Sequence, residues 1–342
     1  MMKTQILKLW IIVLAFFVCS CTDDDSDVDT PEEFTLSFNV ETNQDQMGDF
    51  SHNKLAVFNG EVWSVGGYNS YNIDILNSDV WKSTNGRNWQ SVTSGQFESR
   101  RDHSLLVFDN KLWVIGGRTE SGTSSLAGLN DVWYSSDGTN WTMATDNALP
   151  SMWIGENTTV VFNNKMYLIK NGVSEGNNNV CTVWSSSDGM TWTQETGNAF
   201  PYRNGFATTV FNDEIYVIGG SDITLDVQYN TIYKSADGIN WTEVNTTGNV
   251  FTPRYLHKSL VYKNKLWVFG GLDNISAIGK GLFYTENGNR WYSYEPLPSE
   301  DGIYSFDALN YNGSIWVFGG MHQDDTTFTY SRVGTINTIT KD

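Results

Sequence analysis

Short apolar runs recur along this chain at a nearly fixed interval. Each closes on an aromatic residue and a two-residue polar turn. The aromatic and its turn read Phe58-Asn59-Gly60, Phe108-Asp109-Asn110, Phe162-Asn163-Asn164, Phe211-Asn212-Asp213, Tyr262-Lys263-Asn264 and Tyr311-Asn312-Gly313. Such turns suit φ > 0 at both central positions, as tight primed hairpins require. A second apolar run follows, for example Leu112-Trp113-Val114-Ile115 or Leu266-Trp267-Val268-Phe269, and ends in Gly-Gly at 66–67, 116–117, 219–220, 270–271 and 319–320. Lys170-Asn171 stands where a sixth diglycine is expected, giving intervals of 50, 54, 49, 51 and 49 residues. A third run carries Trp81, Trp133, Trp184, Tyr233 or Phe283. Eight residues later, beyond an Asn-Gly or Asp-Gly turn, stands Trp89, Trp141, Trp192, Trp241 or Trp291. Four locally joined strands predict one antiparallel blade per copy, and six copies predict a closed array.

The sixth copy lacks the late turn and its Trp. In the other copies the late Trp precedes the next repeat's reference position, fourteen residues before the second Gly, by 14 to 16 residues. For the first copy that position is Asn53, and fifteen residues earlier lies Phe38, inside the alternating run Phe34-Thr35-Leu36-Ser37-Phe38-Asn39-Val40. This N-terminal strand is expected to supply the outer strand of the last blade, so that the ring leaves only short edges. The tail at 335–339 is the alternative.

These features resemble the kelch-repeat β-propeller family. The resemblance rests on the diglycine, the aromatic four residues before its second glycine (Trp63, Trp113, Tyr167, Tyr216, Trp267, Trp316) and the late Trp. It covers residues 34–342 and implies an all-β, six-bladed kelch-type β-propeller. Every Trp except Trp10 and Trp153 falls on the repeat lattice and is expected in the core. The hairpin from Ser135 to Trp141 also resembles the Asp-box of sialidase propellers, one residue short, and is read as the same hairpin physics rather than as sialidase activity.

Residues 1–20 read as a lipoprotein signal peptide. Lys3 and Lys8 precede an apolar stretch, residues 9–18, that is short for a membrane span. Val18-Cys19-Ser20-Cys21 resembles a lipobox, with Cys21 the expected lipidation site and membrane anchor. Residues 21–33 form an acidic tether with seven acids in the twelve positions after Cys21, a composition that stays extended and self-repelling. The acidic run resembles the stretch behind the lipidated cysteine of surface-exported Bacteroidetes lipoproteins. That implies an outer-membrane lipoprotein at the cell surface, with a periplasm-facing one as the alternative.

After cleavage only Cys21 and Cys181 remain, so no disulfide framework forms. Cys181 reads as a small buried apolar residue. The net charge of −18 argues against nucleic acid as a partner. No metal or other cofactor is expected. His103, His257 and Cys181 do not make up the copper set of galactose oxidase, which shares the propeller type, and no phosphate loop, zinc motif or nucleophile elbow is present.

Loops joining strand four to the next strand one, and strand two to strand three, emerge on one face. There Arg100, Arg203 and Arg254 each stand three residues before a reference position, beside Trp153, Tyr202, Tyr255, Tyr304 and Glu156. One reading is a cationic, aromatic-lined ligand site, since arginine forks clamp carboxylates and flat rings suit sugars. The other is a structural role at the blade junctions. The functional expectation is correspondingly a monomeric module binding a glycan or partner protein at the propeller mouth. The alternative is an enzyme similar to N-acetylneuraminate epimerase, a carbohydrate isomerase whose catalytic residues are not assignable from this sequence.

Overall fold

The six copies of the two-hairpin pattern become six twisted sheets arranged around a channel. This computed structural model describes residues 36–41, 47, 50–69, 76–121, 125–149, 158–173, 179–222, 224–273, 281–294, 303–323, 330–332 and 336–341. The signal peptide, the tether and Cys21 lie outside the described residues, as do Trp153 and Glu156. The inner strands of the blades are Lys54–Phe58, Ser104–Phe108, Thr158–Phe162, Ala207–Phe211, Lys258–Tyr262 and Asp307–Tyr311. Each neighbours the next, and the last neighbours the first, which closes the ring. Five blades have four strands, and the blade built on Lys258–Tyr262 carries a fifth, Thr247–Gly248, laid parallel outside Arg290–Tyr294. The fold is therefore the expected all-β, six-bladed propeller.

The hairpin turns adopt the backbone their sequences suggest, with φ of 51° at Asn59, 48° and 52° at Asp109-Asn110, and 50° and 58° at Lys263-Asn264. The diglycine serves a second purpose, close approach to the next blade. The second glycine donates its N–H across the junction: Gly67 to the Arg100 carbonyl at 2.8 Å, Gly220 to Arg254 at 2.8 Å, Gly271 to Ile303 at 2.8 Å, and Gly320 to Phe50 at 3.0 Å. A Cβ on Gly66 would meet the Arg100 carbonyl at 2.9 Å, and both residues of the pair have φ > 0, so only glycine fits.

The late Asp-Gly turn locks the opposite side of the junction. Asp137 Oδ1 accepts the Thr139 and Asn140 N–H groups, Ser135 Oγ accepts the Gly138 N–H, and Trp141 Nε1 donates to the Gly138 carbonyl. The bare Cα of that glycine lies on the Trp63 ring of the preceding blade, where any side chain would collide. Gly86, Gly189, Gly238 and Gly288 sit in the same way on Trp316, Trp113, Tyr167 and Tyr216. The apolar cores correspondingly lie between blades: Trp63, Val65 and Val80 pack with Leu112, Val114 and Trp141, for example.

Closure uses both candidate strands. In the last blade Ile336–Lys341 pairs with Ser314–Phe318, and Leu36–Glu41 pairs antiparallel outside it, with Phe38 opposite Ile339. The early strand takes the outer position expected of it, and the tail takes the third. The copy without a diglycine departs in its local structure. There Lys165–Val173 runs through Lys170-Asn171 as continuous strand against Asn179–Ser186, and the Asn171 amide bonds the Asn204 side chain of the next blade. A side chain thus replaces the missing backbone link. Cys181, opposite Asn171, is free and fully buried, and burial pushes its thiol up to about 12.

Candidate functional site

Arg100, Arg203 and Arg254 are among the largest fully buried side chains of the molecule. They do not ring an open mouth, and their burial fits the structural role that is the alternative reading. Each guanidinium folds back into its own blade. Arg100 Nε donates to the Glu98 carbonyl (3.0 Å), Nη1 to the Gly116 carbonyl (2.9 Å), and both terminal nitrogens to the Asp131 carboxylate at 2.8 Å. Arg203 repeats the pattern on Pro201, Gly219 and the Thr231 hydroxyl, and lies 4.7 and 4.8 Å from the Tyr229 and Tyr233 ring centres. Arg254 repeats it on Thr252 and Gly270. The arginine therefore satisfies the carbonyl of the first diglycine residue. The equivalent residues in two other blades are Phe50 and Ile303, which marks the slot as interior.

Of the other expected residues, Tyr304 is buried, while Tyr202 and Tyr255 are half-buried. The Tyr202 hydroxyl accepts a bond from the Asn204 side chain (2.8 Å). They belong to three different blades and form no common surface with the arginines.

The mouth is built one position further along. Two residues before each reference position, the chain bridges to the residue after its own diglycine: Ser51 to Tyr68, Arg101 to Arg118, Asn204 to Ser221, Tyr255 to Leu272, and Tyr304 to Met321. Among these described pairs, only one sets like charges opposite each other. Arg101 and Arg118 exchange both backbone hydrogen bonds, at 3.0 and 2.8 Å. Asp102 Oδ2 lies between them, 3.8 Å from Arg101 Nη1 and 3.7 Å from Arg118 Nε, distances too long for hydrogen bonds. The Arg101 guanidinium sits 5.6 Å from the Tyr68 ring centre, and His52 meets that ring edge-on at 5.6 Å.

Of this cluster His52 and Asp102 also line the central channel, a cavity of about 170 Å³ whose wall further includes Lys54, Ser104, Lys258 and Asp307. His52, Asp102, Gly205, Leu256 and Ser305 occupy the same place in five blades, and all have φ between 53° and 62°. The left-handed residue turns the chain sharply into the inner strand and places its side chain at the channel wall. His103 and His257 stand at reference positions on opposite sides of the ring. Burial, and secondarily Arg100 or Arg254, keeps both imidazoles neutral, with His257 lowered to about 3. Sequence reasoning missed Arg101, Arg118, Tyr68, His52 and Lys54. The available signal was an unmatched pair of charges at one repeat position, whereas the recurrent arginines drew attention because they recur.

Comparison with known proteins decides the family. The KLHDC2/KLHL20/DRC7 Kelch-repeats domain matches residues 52–271, more than half of the chain. The chain belongs to the kelch-repeat family. Among solved structures, 440 chains resemble this propeller. One is the structure of YjhT, with a TM-score of 0.67 and 15% sequence identity over 84% of this chain and 94% of that one. No curated protein matches the sequence. At this identity the structural likeness speaks to the fold alone, and function rests on the site.

Proposed function

We propose that this kelch propeller is a binding module for an anionic glycan of the uronate or sialate type, held at an outer membrane through lipidated Cys21. The carrying observation is the cross-strand pair Arg101–Arg118. Two arginines stand opposite each other, and the Asp102 carboxylate lies in ion-pair range of both without hydrogen-bonding through the closest atoms. A ligand carboxylate at the two forks would add charge-assisted hydrogen bonds. The half-buried His52 ring, backed by the buried Tyr68, supplies a flat face for a sugar. A charged hydrogen bond contributes about 1.5–3 kcal/mol. Arg118→Leu should therefore weaken binding on the order of ten- to a hundredfold on an acidic-glycan array and by calorimetry. Binding to neutral glycans alone, or affinity unchanged in Arg118→Leu and Arg101→Leu, refutes the reading.

The anchor is supported by the basic start, the short apolar stretch and the cysteine pair of residues 1–21. Palmitate labelling should tag the wild type and spare Cys21→Ala, and protease treatment of intact cells separates a surface location from a periplasmic one.

A second reading is mutarotation of the same sugar. Asp102 and His52 hold equivalent positions on adjacent blades at the channel wall, a carboxylate and an imidazole able to accept and donate the protons that ring opening requires. Faster anomer exchange by NMR, lost in Asp102→Asn, would establish it.

A further inference from the structure

Deeper in the channel the inner strands carry a charge cluster unrelated to the mouth arginines. The residue after the reference position is Lys54, Ser104, Thr158, Ala207, Lys258 and Asp307 around the ring, and all six line the cavity. Three consecutive blades thus contribute Lys258, Asp307 and Lys54. Asp307 is almost wholly buried, and its oxygens are already engaged. One ion-pairs with Lys258 and takes the Ala308 N–H at 2.9 Å, and the other takes the Leu55 N–H at 2.7 Å. Lys54 is left as the odd cation. Among the described residues no carboxylate lies within ion-pair reach of its ammonium.

We propose that the channel binds a small oxyanion group, seated between the Lys54 ammonium and the hydroxyl of Ser104 on the neighbouring inner strand. A half-buried ammonium facing a polar cavity without a counter-ion carries a desolvation cost that an anion removes. Elsewhere on the wall Thr158 and Thr208 bond each other, and Ser259 bonds Thr209, so each pair keeps one hydroxyl hydrogen to donate. Four charged groups bear on the site: Lys54 and Lys258 attract the anion, while the committed Asp307 and the more distant Asp102 oppose it. Burial lowers the proton affinity of Lys54, while Asp307 raises it and Lys258 lowers it, and an arriving anion favours the charged ammonium. The chemistry is common to a carboxylate, a phosphate and a sulfate, and the cavity has room for such a group rather than for a polymer chain.

The test is calorimetry on the folded full chain with inorganic phosphate, sulfate, acetate and glucuronate, and binding of at least one of the four is expected. Affinity for the inorganic ions marks a free-anion site, and affinity for acetate and glucuronate only marks a pocket for the acidic group of a larger ligand. Lys54→Met should weaken binding at least tenfold and Lys54→Arg should retain it, with Lys54→Gln as the substitute if Lys54→Met does not fold. Equal affinity in wild type and Lys54→Met, or no binding by any of the four anions, overturns the proposal. The glycan reading is scored separately by Arg118→Leu on glycan arrays, so either idea fails without the other.

Discussion

Blades two and five face each other across the ring and are nearly identical underneath. Both present Arg-x-x-His at their entry, Arg100 with His103 and Arg254 with His257. In both, the arginine is fully buried against its own diglycine carbonyl and the histidine is held neutral beside it. They differ at the neighbouring bridge pair, Arg101–Arg118 in blade two and Tyr255–Leu272 in blade five. One blade places two arginines there, both in ion-pair range of Asp102, and the other an aromatic and an aliphatic. Residues that recur with the repeat maintain the junctions. The residue pair that breaks the recurrence is where ligand chemistry is to be sought.

The largest test of this contrast exchanges burial for exposure. Arg100→Ala strands the Asp131 carboxylate beside an empty slot, and Arg254→Ala leaves the Gly270 carbonyl without its side-chain donor. Breaking a buried charged network costs about 3–5 kcal/mol, so chemical denaturation should show a large loss for both variants. Arg101→Ala should show almost none. Equal losses in all three would dissolve the distinction between junction and mouth.

Acid should expose the likeness of the two blades. The folded protein refuses the protons that His103 and His257 accept when unfolded. Their contribution is therefore unimpaired above pH 6.5 and is lost progressively as pH falls toward the lowered values, about 3 for His257. Each histidine should cost about 1.4 kcal/mol per pH unit in that window. Phe206 and Phe306 hold the same position in other blades, so His103→Phe with His257→Phe should fold and flatten stability between pH 6.5 and 4.5. That range stays above the window of the turn carboxylates. Asp237, for instance, is lowered to about 2, chiefly by the Asn240 N–H.

The turn locks should also be shared. Gly138→Ala in blade two and Gly288→Ala in blade five each drive a methyl into the preceding blade's aromatic ring. Gly313→Ala, with φ of 81° and open space around it, incurs backbone strain alone, about 1–2 kcal/mol. Thermal melts should rank Gly313→Ala as the mildest of the three. The smallest effect is expected from Arg118→Leu, which gives blade two an aliphatic like that of blade five. Removing one of two opposed like charges together with its ion pair to Asp102 should leave a net change within about 1 kcal/mol, seen as a small shift in melting temperature that shrinks at high salt.

The fold was legible because turn chemistry and close approach demand particular residues. Only glycine fits at Gly66-Gly67 or under Trp63, so the period is written in the chain. Leu36–Glu41 was recognisable by its alternation and its distance from Asn53. The tail reads from sequence only as an alternative outer strand, and its place as the third strand was missed because Ile336–Lys341 follows the repeat at an irregular distance. The candidate site was obscured for a different reason. Arg100 and Arg101 are neighbours in sequence, and nothing in their composition tells which one turns inward. That is settled by carbonyl acceptors contributed sixteen residues later, at Gly116. Tyr68 and His52 come together with Arg101 only across a blade junction, which no local pattern records.

The pairing of Leu36–Glu41 with Ile336–Lys341 has a consequence for biogenesis. The earlier strand is among the first parts of the ring to leave the ribosome, and its partner is among the last. At about 5–20 residues per second, the interval is on the order of tens of seconds. Throughout that time the ring is an open arc, and an unpaired strand is a template for wrong partners. The final strand therefore acts as a completeness check. A nascent chain cut short of Ile336 has no seat for Leu36–Glu41, so a truncated product is left as an unclosed arc with a free strand, a form open to proteolysis.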